Sequence, residues 1–430
     1  MCVLKTYKLL RTCFCIVFVS AAQLNYAQTT DTQKHIEVLA GTSMYGRGYV
    51  NNGIHKAGMY IDSCFGAYKL IPFKSLSGYK QNFSYSANTF PGTMEVRINN
   101  QIFTPGIDYI IEPHSPKLSG TFPCIFITKE DIFLEKKLPN IDGKVLVIDD
   151  RNPVSIDPNA LNKINQALQY LSIEKNKIIA IVELTDKKLT WGAADFVGNC
   201  PYITINSNKT PHTFDTITIL IEQTFIKKFS TYNVCGYIEG TEKKDSLIVL
   251  TAHYDHLGMM GANTVFPGAN DNASGISMLL NLIQYFSKNP PKYTIVFVAL
   301  SGEEIGLRGA FHFVENSPFP LENIRFLLNI DLAGTGDEGI QIVNSTIFAQ
   351  ESSLLDSLNN THNLLPAIKK RGEACISDHC PFYQKGVRSF FIYTLGGIQA
   401  YHDVYDKHET LPLTAFTNYA RLLQLFIEHI

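Results

Sequence analysis

The stretch SLIVLTAHYDHLGMMGANTVFPGANDNASGISMLLNLIQYFSKNPPKYTIVFVALSGEE, residues 246–304, sets two continuous apolar runs around one amphipathic segment. SLIVLTA (246–252) and YTIVFVAL (293–300) have no polar face, as strands buried on both sides of a parallel sheet require. Between them SGISMLLNLIQYFSK (274–288) carries apolar residues at helical spacing, with Ser274 in position to cap it. Further on, IRFLLNI (324–330) and RSFFIYT (388–394) read as a third and a fourth buried strand. Strands alternating with helices predict an α/β fold: a mostly parallel mixed sheet with helices on both faces.

The residues just beyond each apolar run carry the chemistry. His253 and Asp255 come directly after the first, Glu303 and Glu304 after the second, and Asp331 after the third. Open α/β sheets form their sites beyond the carboxyl ends of the strands, so these residues are expected on one rim. Asp271, in PGANDNASG, precedes the helix, and His402, in YHDVYD, comes after the fourth strand and a Gly-Gly loop. Each has an ordinary reading taken alone: a solvated histidine, an acidic helix start, an Asx turn. Their recurrence at successive strand ends is what argues for a site. The donor set of imidazoles and carboxylates suits zinc, and manganese or cobalt as well. Three carboxylates are too many for one zinc, whereas two ions roughly 3.5–4 Å apart, bridged by one carboxylate, balance them. Asp255, two residues from His253, is placed to fix its tautomer.

HYDHLG, PGANDNASG, SGEEIGLRGA, NIDLAG, SDHCPF and YHDVYD, in this order, resemble the motif series of the M28 family of zinc peptidases. The resemblance is dense from about residue 231 onward and weaker at GRG (46–48). It implies a zinc-peptidase-like fold and two zinc ions. Asp271 would bridge them, His253 and Asp331 would hold one, and Glu304 and His402 the other. It further implies Glu303 as general base for a metal-bridging water and Asp255 as the acid orienting His253. Asp378 and His379 would sit near the site without being ligands, and the family pattern gives His256 no ligand role. Where many members have Thr after the last histidine, this chain has Asp403. The implied activity is exopeptidase, foremost aminopeptidase, acting on peptide or protein N-termini. Carboxypeptidase and glutaminyl-cyclase-like acyl transfer stay open on the same scaffold. A non-catalytic relative would lack two or more ligands, and none of the five is missing here.

The remainder of the 430 residues sets bounds. A formal net charge of -2 offers no basic field for nucleic acid. Lys5, Lys8 and Arg11 precede an apolar run from Cys13 to Ala22, too short to span a bilayer, so residues 1–27 are expected to be a signal peptide and the protein secreted or periplasmic, with no stable membrane anchor. Residues 34–94 read as the N-terminal part of the peptidase domain, with a helix from about His55. Short β-like runs over 95–225 read as a small β-rich insert of the protease-associated type, and 226–430 as the metallopeptidase domain. Cys375 and Cys380 are close enough to pair, while Cys64 and Cys235 are expected as free thiols. The substrate pocket is expected from loops 257–268, 334–339 and 395–400. The sequence alone sets neither side-chain preference nor oligomeric state.

Overall fold

In the computed structural model the described residues are 31–134, 136, 140–149, 151 and 156–430. The expected signal peptide, residues 1–27, lies outside them. No helix among the described residues is long and apolar enough to cross a membrane.

The apolar runs form the strands expected of them. Lys243–His253, Tyr293–Leu300, Ile324–Ile330 and Ser389–Leu395 belong to an eight-stranded sheet. Tyr293–Leu300, Lys243–His253, Ile324–Ile330 and Ser389–Leu395 lie side by side in that order, each parallel to the next. Antiparallel strands flank them: Thr224–Ile238 on one side, Gly339–Val343 on the other. Alternation along the strands feeds two cores. Ile248, Leu250, Phe297 and Leu328 face one side, where helices Gly275–Lys288, Phe416–His429 and Gly53–Ala67 pack. Val249, Val296, Val298 and Leu327 face the other, against Ala310 and Phe313 of helix Arg308–Glu315 and Phe382 of helix His379–Gln384. Helices therefore cover both faces, as buried parallel strands require.

The chain leaves this sheet after Lys80–Thr89 and returns with Thr224–Ile238. These two strands pair with each other, Thr89 opposite Thr224. The residues between build a second eight-stranded sheet, wider than the short runs in the sequence suggested. Leu118–Ile127, Val145–Asp149, Ala180–Thr185 and Tyr202–Asn206 are parallel at its centre. Helix Pro158–Ile173, its first turn held by the Asp157 cap, covers one face through Ile164 and Leu168. The other face packs Val147, Val182 and Trp191 against Leu257, Met260, Phe266 and Val404. The second sheet thus rests directly on loops that extend from the first sheet's strands.

Candidate active site

Strand ends bring the expected residues together. His253 ends its strand, Asp331 comes after Ile330, and Glu303 and Glu304 come after Leu300 in a turn. That turn needs Gly302: its φ is +76°, and a Cβ there would meet the Tyr85 ring at 2.9 Å. The loop carrying Asp271 enters at Gly268, φ +61°, where a Cβ would meet the Asp271 carbonyl oxygen at 2.2 Å. Ser274 does not cap the next helix. Its backbone is already helical and its hydroxyl donates to the Asn270 carbonyl at 2.6 Å. The Asn272 side chain caps instead, accepting from the Gly275 N–H at 2.9 Å.

Two donor groups result, and they share Asp271. His253 Nε2 lies 3.4 Å from Asp331 Oδ2 and 3.4 Å from Asp271 Oδ1. His402 Nε2 lies 3.0 Å from Asp271 Oδ2 and 3.2 Å from Glu304 Oε2. Donors about 2.0–2.1 Å from a tetrahedral zinc lie roughly 3.3 Å from one another, so both groups fit such an ion. Glu303 joins His253 and Asp331 with donor atoms within 4.8 Å, and His256 joins Asp271 and Glu304 likewise. His256 Nδ1 sits 2.6 Å from Glu304 Oε1, which leaves Oε2 turned to His402. The sequence reading gave His256 no ligand role, and this contact makes it a support for Glu304.

Asp255 departs from expectation. His253 Nδ1 meets the Asp255 main-chain carbonyl at 3.2 Å, while the carboxylate stands 3.8 Å away. That carboxylate instead accepts the backbone N–H groups of Glu303 and Glu304, at 3.1 and 3.3 Å, and fixes the Glu-Glu turn. Arg47, in the weakly matched GRG, is the residue that sequence reasoning undervalued. It is fully buried and donates to the carbonyls of Leu39, Tyr254, Pro267, Gly268 and Asp271. Five fixed donors tie the N-terminal segment to both sides of the site. Burial lowers its guanidinium to about 10. Asp406 holds the Asp271 loop from below, accepting from the N–H groups of Asn270 and Asp271 at 2.8 and 2.9 Å.

The rim gathers carboxyl groups. Asp255, Asp271, Asp331, Asp378 and Asp406 are all buried, and Glu303 and Glu304 nearly so. Among the described residues, their ion pairs are all to His253, His256 and His402, with no lysine or arginine among the partners. Burial raises Asp255 to about 6 and Asp378 to about 8, and both Asp378 oxygens lack a hydrogen-bond partner. Burial, reinforced by Asp378 and Glu304, also holds the Glu303 carboxyl well above its usual range, although the His253 charge opposes it. Burial works the same way on Glu304, yet the His402 and His256 charges outweigh it and hold that carboxyl well below its usual range.

A cavity of about 250 Å³ opens over these groups. Loops 257–268, 334–339 and 395–400, expected to line it, do not. Its wall is Leu332, Ile376, Phe391, Tyr393 and Tyr401, and the floor is the donor set. Loop 257–268 is instead taken up by the second sheet through Leu257 and Phe266. Ile376 stands in the six-residue loop closed by the Cys375–Cys380 disulfide, and Cys64, Cys124, Cys200 and Cys235 are free thiols. Asp378 and His379 occupy that loop outside the cavity lining, and His379 stacks on Phe391 at 5.4 Å.

A mixed α/β sheet whose carboxyl rim carries imidazoles and carboxylates spaced for divalent metal defines the class. Residues 233–427 match the model of peptidase family M28, so the resemblance drawn from the motifs is borne out over this part of the chain. A probable zinc metalloprotease of Leptosphaeria maculans is 36% identical over 111 residues, 25% of this chain and 26% of that protein. Aminopeptidase YwaD of Bacillus subtilis is 29% identical over 153 residues, 34% of this chain and 32% of the relative. The chain thus matches about a quarter to a third of the length of these relatives. The fold extends further. A zinc aminopeptidase structure from Bacillus subtilis superposes with a TM-score of 0.66 at 17% identity, covering 93% of each chain. An aminopeptidase structure from Aneurinibacillus sp. strain AM-1 gives 0.62 at 19% identity, covering 93% of this chain and 92% of that one.

Proposed function

We propose that the protein is a two-zinc aminopeptidase that removes residues from the free N-termini of peptides. One observation carries this reading: the buried donors fall into two groups joined through Asp271, and among the described residues their carboxylates form ion pairs only with histidines, Arg47 beside them donating to main-chain carbonyls. An uncompensated buried carboxylate costs several kcal/mol, on the order of the stability of a whole domain when repeated. Divalent cations are the charge that such a rim lacks. His253, Asp331 and one oxygen of Asp271 would hold one ion, and His402, Glu304 and the other oxygen the second. When bound, zinc lowers the pKa of water and polarises a carbonyl.

The chain's own groups do the rest. Glu303 takes the proton of the attacking water and returns it to the leaving amine. A carboxyl raised by burial is suited to holding that proton between the two steps. Asp255 keeps Glu303 in place through its backbone N–H. The apolar wall of Leu332, Ile376, Phe391 and Tyr393 excludes water and favours an apolar side chain on the residue removed. The names of the relatives support aminopeptidase over carboxypeptidase. A leader-like N-terminus and the Cys375–Cys380 disulfide support action outside the cytoplasm.

The test is hydrolysis of a peptide panel, with free and blocked N-termini and with Leu, Phe, Lys or Asp first, on protein whose zinc content is measured in the same sample. Cleavage of free N-termini only, fastest for Leu and Phe, with two zinc ions per chain and loss on chelation, is the expected result. Cyclisation of N-terminal glutamine without peptide cleavage would move the protein to acyl transfer.

A further inference from the structure

We infer that Lys188 and Trp191, from the segment between the paired strands Lys80–Thr89 and Thr224–Ile238, are positioning residues for His402, so that the second sheet completes the donor group of the first. The inference rests on the two-ion reading above.

His402 lies on no regular element. It stands in an irregular loop after strand Ser389–Leu395, at φ +53°, a conformation that a non-glycine residue adopts only when neighbours hold it. The neighbours that hold it come from the other sheet. The Trp191 backbone grips the residue twice: its N–H donates to the His402 carbonyl at 2.9 Å, and its carbonyl lies 2.9 Å from His402 Nδ1. With Nδ1–H donated to that carbonyl, Nε2 is left as the bare donor facing Asp271 and Glu304, which is the tautomer a metal ligand needs. Trp191 is itself fixed, because its indole donates to the Ile111 carbonyl at 2.8 Å and its ring packs on Phe266 at 4.6 Å.

Lys188 braces the loop on either side of the histidine. Its ammonium reaches the Gln399 carbonyl at 2.6 Å, the Tyr401 carbonyl at 3.0 Å and Asp403 Oδ2 at 2.7 Å. Asp403 in turn accepts the Tyr405 N–H at 2.8 Å. This gives Asp403, which departs from the family pattern, a purpose: it is the counter-charge of the brace, with a side chain only 6% exposed. The Lys188 side chain is 43% exposed, and an ion pair so open to solvent contributes little to stability, so its loss is expected to move the metal-free midpoint little. His253, the histidine of the other donor group, is set from the first sheet, by its own strand end, the Asp255 carbonyl, Asp271 and Asp331. The two ions are therefore expected to respond differently to damage at Lys188.

The experiment is zinc competition against a chromophoric chelator, with denaturant unfolding of the metal-free forms, on the whole chain and on Lys188→Met, Lys188→Arg and His402→Ala. Lys188→Met is expected to keep one zinc at native affinity, to hold the second about tenfold more weakly, and to unfold at the native midpoint without metal. Lys188→Arg, which keeps a cation against Asp403, is expected to recover most of that affinity. Two zinc ions at native affinity in Lys188→Met, while His402→Ala loses one, would overturn the positioning role and leave the two-ion reading standing. A weakened site in both Lys188 variants together with a lowered metal-free midpoint would also overturn it, in favour of general support of the fold. If His402→Ala keeps both ions, or the native chain binds none, the two-ion reading falls and this inference with it.

Discussion

The two sheets of this chain are alike in width and in having buried parallel strands at the centre, yet they handle charge in opposite ways. Around the second sheet several acids meet cations from its own connections: Glu183 with Lys129 at 2.7 Å, Asp149 with Arg151 at 2.6 Å, and Asp108 with Lys209. At the rim of the first, among the described residues, the acids form ion pairs only with histidines, and Arg47, buried beside them, donates to main-chain carbonyls. Burying carboxylates without partners opposes folding, and a protein keeps such an arrangement where something outside the chain supplies the missing charge. The difference separates a region whose acids are paired with lysine and arginine from one whose acids are paired with histidines.

Three substitutions press on this contrast. Glu303→Gln should have the largest effect: kcat falls about 10²–10⁴-fold, the range of a lost general base, while zinc content is unchanged. Turnover within a few-fold of native would remove Glu303 from the chemistry. Glu183→Leu, in the second sheet, takes away one acceptor of Lys129 and one of the Tyr202 hydroxyl. It should cost about 1–3 kcal/mol of stability, read from urea unfolding, and by the same amount with and without zinc. A loss that depends on zinc would blur the distinction between the sheets.

Asp378→Asn should do the reverse. Its carboxyl titrates at about 8 in the fold and at 3.8 when exposed, with burial the main cause. Between those values the folded chain holds the extra proton, so metal-free stability falls as pH rises from about 4 to 8. The variant should flatten that slope and gain at least ~2 kcal/mol at pH 8 without metal. A metal-free pH profile identical to the native one would show that this charge is not a burden.

Much of this was legible because apolar runs end abruptly at charged residues. The strands 246–252, 293–300 and 324–330 lie within a few residues of those in the structure, and each delivers its donor to the rim. The features that could not be read depend on contacts far apart in the chain. Nothing near Asp403 announces Lys188, and nothing in GRG announces five carbonyl acceptors gathered from Leu39 to Asp271. The cavity wall was missed for a different reason. Phe391 and Tyr393 are alternate residues of a strand whose other face is core, and which face meets the cavity depends on how the sheet is capped. Asp255 stands beside His253 in sequence, but its carboxylate turned to the next strand's loop.

The pairing of Thr89 with Thr224 also bears on how the molecule is assembled. A contact between residues so distant along the chain is slow to find, because the intervening polymer must first be closed into a ring. Met94 pairs with Ile221 in the second sheet, only a few residues farther in from each end. Once that pair has formed, the search at the edge of the first sheet is reduced to closing a short gap, a saving of roughly 2 kcal/mol of loop entropy. The second sheet thereby becomes a folding template for the first, and synthesis from the N-terminus makes its strands available before the parallel strands of the first sheet emerge.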